Sequence, residues 1–327
     1  MWIALSTLAL AQEAPPIVGG EETTRFKPVG AMVAVKGNSG GQFCSGTLVK
    51  ANRVVTAAHC IEAGWEYEDY GYDVYFVLAE DVYDDWDDHK LAKDLIAHPD
   101  YSDSGSLAHD IGIMKLDGGI SSVGTMSLNT ESLKANQKGD TVTYVGFGSE
   151  GMTQGSGVKR YVEVELWQYD NQFLYTGYSG NQVKNVCPGD SGGAALMWRE
   201  SEEKFELVGA NSFIFNWNGG NYDCHLEDAG GAATRVDKNL DFLGEYMEIE
   251  YEGEGDSDTD SDADSDSDTD TDSDTDTDVQ DSGDTGLQTE EPGISAGPGC
   301  GCSGAGGLGG LAAVALAGLF AARRRRD

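Results

Sequence analysis

Bases are scarce in this chain of 327 residues: 21 Lys and Arg stand against 57 Asp and Glu, for a formal net charge of -36. A polyanion gains nothing by meeting phosphates, whose counterions are released by Lys and Arg, so nucleic acid is excluded as a partner. Cysteines at metal-binding spacing are also lacking. The six present are Cys44, Cys60, Cys187, Cys224, Cys300 and Cys302, and none forms the paired pattern of a zinc site; behind an export signal the first four read as two disulfides. No repeat of solenoid length occurs, and helical spacing is confined to Asn239–Glu250, where Leu240, Leu243 and Met247 recur on one face.

Long apolar runs are likewise missing except at the two ends. Residues 1–11 are apolar and close on Ala9-Leu10-Ala11, the small-residue pattern of a signal peptide cleaved after Ala11, which leaves 12–16 as a propeptide. Gly304–Ala322 is uncharged, rich in Ala, Gly and Leu, and long enough to span a bilayer; Arg323–Arg326 would hold the C-terminus inside and leave everything before Gly304 outside. Between them, residues 248–299 form an acidic linker. About 20 acids and no bases fall between Glu248 and Glu291, and from Asp256 to Asp278 aspartate alternates with Ser, Thr or Ala. Self-repulsion keeps such a segment extended and disordered, with weak polyelectrolyte calcium binding as the alternative use, and its reach is on the order of 150 Å.

What remains is one globular unit, 17–247, of roughly 230 residues, large enough for a sizeable core. It carries roughly 18 excess negative charges of its own, a surface that attracts basic proteins at low salt without defining a substrate. Short β-branched and aromatic runs punctuated by glycine (Val29–Val35, Gly46–Val49, Arg53–Thr56, Val74–Leu78, Thr141–Val145, Tyr161–Trp167, Phe205–Ala210) predict an all-β sandwich or barrel.

Three blocks carry chemistry. Thr56-Ala57-Ala58-His59-Cys60 ends a predicted strand, Asp110-Ile111-Gly112-Ile113 begins another, and Gly189-Asp190-Ser191-Gly192-Gly193 is a glycine-rich loop. Singly, His59 is a strand-end histidine, Asp110 a cap and Ser191 a turn residue. Together they answer a chemical need: a serine hydroxyl is a poor nucleophile at neutral pH and requires an imidazole to take its proton, and the imidazole requires a buried carboxylate to fix its tautomer and stabilise its charged form.

In the order His, Asp, Ser, these blocks resemble the trypsin/chymotrypsin family of serine proteases, and Ile17-Val18-Gly19-Gly20 resembles that family's mature N-terminus. The resemblance covers nearly all of 17–247. It implies two six-stranded antiparallel β-barrels with a C-terminal helix, and a catalytic triad of His59, Asp110 and Ser191 hydrolysing protein or peptide substrates through an acyl-enzyme. It also implies an oxyanion hole from the amides of Gly189 and Ser191, and a zymogen activated when a freed Ile17 amine pairs with Asp190. Pro15-Pro16, not Arg or Lys, precedes Ile17, so either a peptidase that is not trypsin-like removes 12–16 or the leader ends elsewhere. Two disulfides follow from the resemblance, Cys44–Cys60 and Cys187–Cys224; the first closes a loop worth roughly 3 kcal/mol in the entropic account. Met197 stands where relatives often have a further cysteine, and no partner cysteine lies near Tyr144.

By the same resemblance the pocket floor is Asn185, where an aspartate would select Arg or Lys. Ser212, Phe213 and Ile214 line the pocket and contact the substrate backbone, Ser212 reaches Asp110, Ile214 narrows the entrance and Gly231 keeps the far wall open. A small or medium uncharged side chain is the expected guest. No cofactor is implied. Some members hold a structural calcium ion in a loop corresponding to part of the acidic, aromatic stretch Glu62–Asp88, and hard cations want several carboxylate oxygens; the spacing matches no loop signature, and a solvated acidic face is the favoured reading. The last 28 residues, 300–327, resemble the tripartite C-terminal sorting signals of some Gram-negative bacteria, especially the cysteine-containing type of myxobacteria. That implies a membrane-anchored, surface-exposed protein whose tail is cut by a processing protease and which carries lipid at Cys300 or Cys302. The competing reading of the domain is a surface-displayed binding module that keeps the fold without activity; its usual signature, a missing triad member or glycine loop, is not present.

Overall fold

The computed structural model describes residues 17–84, 86–103, 106–148, 156–177, 184–217, 223–226 and 228–251. The expected signal peptide, propeptide, nearly all of the linker, and the tail with Cys300 and Cys302 lie outside the described residues. Among those described, no helix is long and apolar enough to cross a membrane.

Two barrels make up the structure. In the first, β2 (Val29–Lys36), β3 (Ser39–Lys50), β4 (Arg53–Thr56), β7 (Gly112–Leu116), β6 (Asp88–Ala97) and β5 (Asp73–Leu78) close in that order, every pairing antiparallel. In the second, the order is β9 (Thr141–Gly146), β10 (Arg160–Tyr169), β11 (Phe173–Thr176), β14 (Ala229–Arg235), β13 (Lys204–Asn216) and β12 (Ala194–Arg199), which returns to β9. Two short strands are added outside the ring, β1 (Glu21–Glu22) antiparallel on β10 and β8 (Ser127–Leu128) parallel to β13.

Side-chain alternation explains the curvature. Along β10, Val162, Val164 and Leu166 point inward while Glu163, Glu165 and Trp167 face out, the period of two of a sheet wet on one side. By contrast β13 is buried from Glu206 to Phe215, because one face closes its own barrel and the other meets its neighbour. Each barrel has its own core, around Met32, Leu48, Phe76 and Met114 in the first and Tyr144, Val162, Leu174 and Val208 in the second. A third cluster, including Val29, Ile111, Ile113, Val145, Phe147, Ala194 and Phe242, joins residues of both barrels and of the C-terminal helix.

Two helices depart from the sequence expectations. The C-terminal helix exists but is confined to α2 (Leu240–Gly244) instead of Asn239–Glu250; past Gly244 the chain continues in turns, with Tyr246 and Met247 amides both donating to Leu243 O, and Met247 still tucks into the core. The second, α1 (Ala58–Asp69), was not anticipated. It has no side-chain N-cap and no acid in its first turn, so tertiary contacts hold it: Cys60 is tied to β3 by a disulfide, a Cβ on Gly64 would lie 2.7 Å from Leu95 Cδ1, and Trp65 Nε1–H donates to Leu95 O at 3.2 Å. Consequently the stretch Glu62–Asp88 is not one loop; it is divided among α1, β5 and the turns leading to β6.

Candidate active site

Asp110 and His59 come from neighbouring strand ends of the first barrel. β4 pairs with β7 so that Thr56 lies opposite Gly112; His59 then falls in the opening turn of α1, and Asp110 lies just ahead of β7. The Asp110 side chain is fully buried, and it is satisfied on every side. His59 Nδ1 lies 2.8 Å from Oδ2, the His59 backbone N–H donates to Oδ1 at 2.9 Å, and Ser212 Oγ–H donates to Oδ2 at 2.5 Å. Ser212 reaches this carboxylate because β13 bulges there: Asn211 pairs with Ala233 and Phe213 with Ala232, leaving Ser212 unpaired and its side chain re-aimed across the seam. Burial alone would push the His59 imidazole down, but the charge and hydrogen bond of Asp110, aided by Glu62, outweigh it and hold its pKa above the ordinary value of 6.5.

Ser191 sits in the loop ahead of β12, and close packing brings that loop against the same strand end. A Cβ on Gly192 would lie 2.0 Å from Thr56 Oγ1, 2.5 Å from Ser45 O and 2.9 Å from Ala57 N, so only glycine lets the loop approach the segment that leads into His59. Its φ of 74° imposes the same requirement. Backbone bonds complete the seat: Ser45 N–H donates to Ser191 O at 2.8 Å, and Gly192 N–H donates to Asn211 O at 2.7 Å, next to Ser212.

Gly189, φ 95°, turns its carbonyl toward Gln42 Nε2 and Ser45 Oγ, both of which donate to it at 2.9 Å. With that carbonyl fixed, the amides of Gly189 and Ser191 donate to no protein group among the described residues. Gln42, Ser45, Thr56 and Asn211 are supports that sequence reasoning missed. They are common polar residues on strands, and only the pairing of β3 with the Ser191 loop reveals their use.

Asp190 is fully buried, and its carboxylate accepts the amides of Gly148 at 2.7 Å and Cys187 at 2.9 Å. Burial pushes its carboxyl up to about 7 despite those amides and the charge of Arg160. A Cβ on Gly148 would lie 2.5 Å from Asp190 Cγ, so this glycine too is dictated by close approach. Ile17 is fully buried in the second barrel's core cluster beside Val186 and Cys187, and Asn185 N–H donates to Val18 O at 3.1 Å.

Both expected disulfides form, with Cα–Cα distances of 6.0 Å for Cys44–Cys60 and 5.5 Å for Cys187–Cys224. Asn185 is buried; its Oδ1 takes the Val186 N–H at 2.9 Å, and its Nδ2 has no protein partner among the described residues. A Cβ on Gly231 would lie 2.7 Å from Asn185 Oδ1. Ile214 is buried in one cluster with Val186, Cys187 and Cys224. Phe213 belongs to an aromatic and apolar wall with Phe215, Phe173, Tyr175, Tyr101 and Leu107, which also includes Ala58, next to His59.

A family model described as Trypsin matches residues 17–243. Trypsin theta of Drosophila melanogaster is 29% identical over 194 residues, 54% of this chain and 70% of that protein. Anionic trypsin of Bos taurus is 28% identical over 226 residues, 64% of this chain and 81% of the relative, and cathepsin G of Homo sapiens is 27% identical over 191 residues, 56% and 70% respectively. With the two barrels and both disulfides, the match over most of the chain settles its kinship: this chain belongs to the trypsin family and is a serine-type endopeptidase.

Proposed function

We propose that the protein is a secreted, surface-anchored endopeptidase in which Ser191 is the nucleophile, His59 the general base and Asp110 the group that orients and stabilises the imidazole. The observation that carries this reading is the buried Asp110 carboxylate, with His59 Nδ1 at 2.8 Å and Ser212 Oγ at 2.5 Å. With Nδ1 committed to Asp110, Nε2 is the nitrogen free to take a proton. His59 removes the Ser191 hydroxyl proton as Oγ attacks the substrate carbonyl; the amides of Gly189 and Ser191 receive the oxyanion, and the imidazolium then protonates the leaving amine. Water repeats the sequence on the acyl-enzyme and releases the second product. Since the base must be neutral and its pKa is raised, activity rises with pH on the alkaline side of 6.5.

Asp190 supports a zymogen reading. Burial holds the Asp190 carboxyl at about 7 even with the charge of Arg160 acting on it, and an Ile17 amine freed by cutting the 16–17 bond would supply a second cation beside residues 185–187. For specificity, the uncharged Asn185 disfavours Arg and Lys, and Ile214 packed against the Cys187–Cys224 region leaves room for a small or medium uncharged side chain. The acidic linker and tail are read as a spacer and an anchor that present the domain outside the cell, the tail being removed by a processing protease. Hydrolysis of a peptide library by protein beginning at Ile17 tests the whole. Cleavage after Ala, Val or similar residues, abolished by Ser191→Ala, is the expected result; cleavage confined to Arg or Lys overturns the pocket reading, and hydrolysis that survives Ser191→Ala overturns the nucleophile.

A further inference from the structure

Two histidines outside the proposed triad are tied to the turn that carries Asp110. His98 follows β6 and His109 immediately precedes Asp110, and their rings stack with centroids 4.4 Å apart at an interplanar angle of 20°. The backbone ties the pair to the residue on the far side of Asp110: His98 N–H donates to Ile111 O at 3.0 Å, and Ile111 N–H donates to His109 O at 2.7 Å. Asp110 thus occupies the apex of a tight turn closed by its two neighbours. His109 has φ 56°, a left-handed conformation that histidine tolerates better than most side chains.

The surrounding hydrogen bonds admit one protonation state. Asn239 Nδ2–H donates to Arg235 O at 2.7 Å, which fixes its amide and turns Oδ1 toward His109 Nδ1 at 3.3 Å; Nδ1 therefore carries a proton. Gln172 Oε1 accepts the His109 backbone N–H at 3.1 Å, which fixes that amide and leaves its NH2 3.3 Å from His109 Nε2; Nε2 therefore accepts. His98 Nδ1 accepts the Asp100 N–H at 3.1 Å. A proton added to either ring sets an N–H against another N–H. Phe242, tilted over His98 at 4.7 Å, supplies no acceptor. The charged groups on the packed elements are Asp100 and Asp110 on the pair's own segment, Asp170 and Arg235 around Gln172, and Asp237, Lys238 and Asp241 around Asn239. Of these, Asp110 is committed to His59 and Ser212, and Arg235 and Asp237 are paired with each other at 2.5 Å.

We infer that His98 and His109 are positioning residues, a paired-imidazole clamp that holds Asp110 toward His59 while the pair is neutral and releases it when the pair takes up a proton. The inference rests on Asp110 orienting His59. Burial and the neighbouring His109 hold the His98 pKa below 6.5, against the pull of Asp100, whereas His59 lies above 6.5. On acidification His59 protonates first, and the clamp opens at lower pH as a second event.

The test is the pH profile of kcat/KM for the activated protein, His109→Asn and Gln172→Glu. The unsubstituted enzyme is expected to lose activity with a logarithmic slope of about 1, steepening to about 2 below roughly pH 6.5. His109→Asn keeps the slope of about 1 and retains severalfold more of its own plateau activity at pH 5. Gln172→Glu places a carboxylate beside the pair, favours its protonated form and moves the second break to higher pH. Identical breaks in all three overturn the clamp, and if His109→Asn fails to fold, the direction of the Gln172→Glu shift decides alone. A catalysis-free readout separates this inference from the triad. Between pH 7 and 5, Ser191→Ala should lose several degrees of Tm that Ser191→Ala/His109→Asn keeps; equal losses sink the clamp whatever the activity. A retained Tm difference together with no peptidase activity at any pH in the activated protein with Ser191 intact sinks the triad instead.

Discussion

The first barrel contributes His59 and Asp110, and both are held by side-chain bonds: imidazole to carboxylate, carboxylate to the Ser212 hydroxyl and to a backbone amide. The second barrel contributes the Ser191 loop, and there the backbone does most of the holding. Gly189 and Gly192 take left-handed φ values, Gly148 and Gly192 admit close approaches no Cβ would allow, and two amides are left without protein acceptors among the described residues. The side chains of His59 and Asp110 thus come from one barrel, whereas the other seats the Ser191 hydroxyl and the Gly189 and Ser191 N–H groups on a loop shaped by its backbone. The difference implies that the first half of the site fails when an atom is removed from a side chain, and the second, the Ser191 hydroxyl aside, when one is added to a glycine.

The largest expected effect comes from the side-chain half. Asp110→Asn keeps the shape but sets an NH2 either against both His59 Nδ1–H and the Ser212 hydroxyl or against the His59 backbone N–H; kcat should fall by about 10⁴-fold, the magnitude known for this triad, with the fold intact by circular dichroism. For the backbone half, Gly192→Ala adds one methyl at 2.0 Å from Thr56 Oγ1 and strains φ. Activity should drop by on the order of 10²-fold or more through misplacement of the oxyanion donors, and a variant as active as the parent would contradict the close approach.

A third prediction uses pH. In the chain not yet cut before Ile17, the folded Asp190 pKa of about 7 exceeds the unfolded value of 3.8, so the folded state binds the extra proton. That stabilising contribution is complete below about pH 4 and is lost as pH rises toward 7, at about 1.4 kcal/mol per unit as an upper bound. His59 titrates in both forms and largely cancels from their difference. Cutting before Ile17 should therefore flatten the decline, as chemical denaturation of both forms from pH 4 to 8 would reveal; parallel curves contradict the ion pair. The smallest effect is on specificity: Ile214→Gly should raise kcat/KM for large apolar side chains relative to alanine by about tenfold, and an unchanged ratio removes Ile214 from the pocket.

The same division decided how much was legible from the sequence. Short β-branched runs foretold strands of both barrels, and the blocks around His59, Asp110 and Ser191 stood out because side-chain chemistry is written in residue type. β3 was seen only as Gly46–Val49 because Ser39-Gly40-Gly41 reads as a turn, yet it pairs with β2 from Ser39 onward. α1 lacked caps and apolar periodicity and depends on the Cys44–Cys60 bridge and Leu95. Gln42, Ser45 and Gly148 act through contacts with residues at least 42 positions away. The pairing of His109 with Gln172 and Asn239 spans 63 and 130 positions, and no local pattern announces it.

The most direct measurement is the mapping of a fluorophosphonate adduct by peptide mass spectrometry on protein beginning at Ile17. A single adduct on Ser191, absent in His59→Ala and slowed in Asp110→Asn, is the predicted result. An unlabelled Ser191 in folded, correctly trimmed protein, or labelling indifferent to His59, would contradict the account.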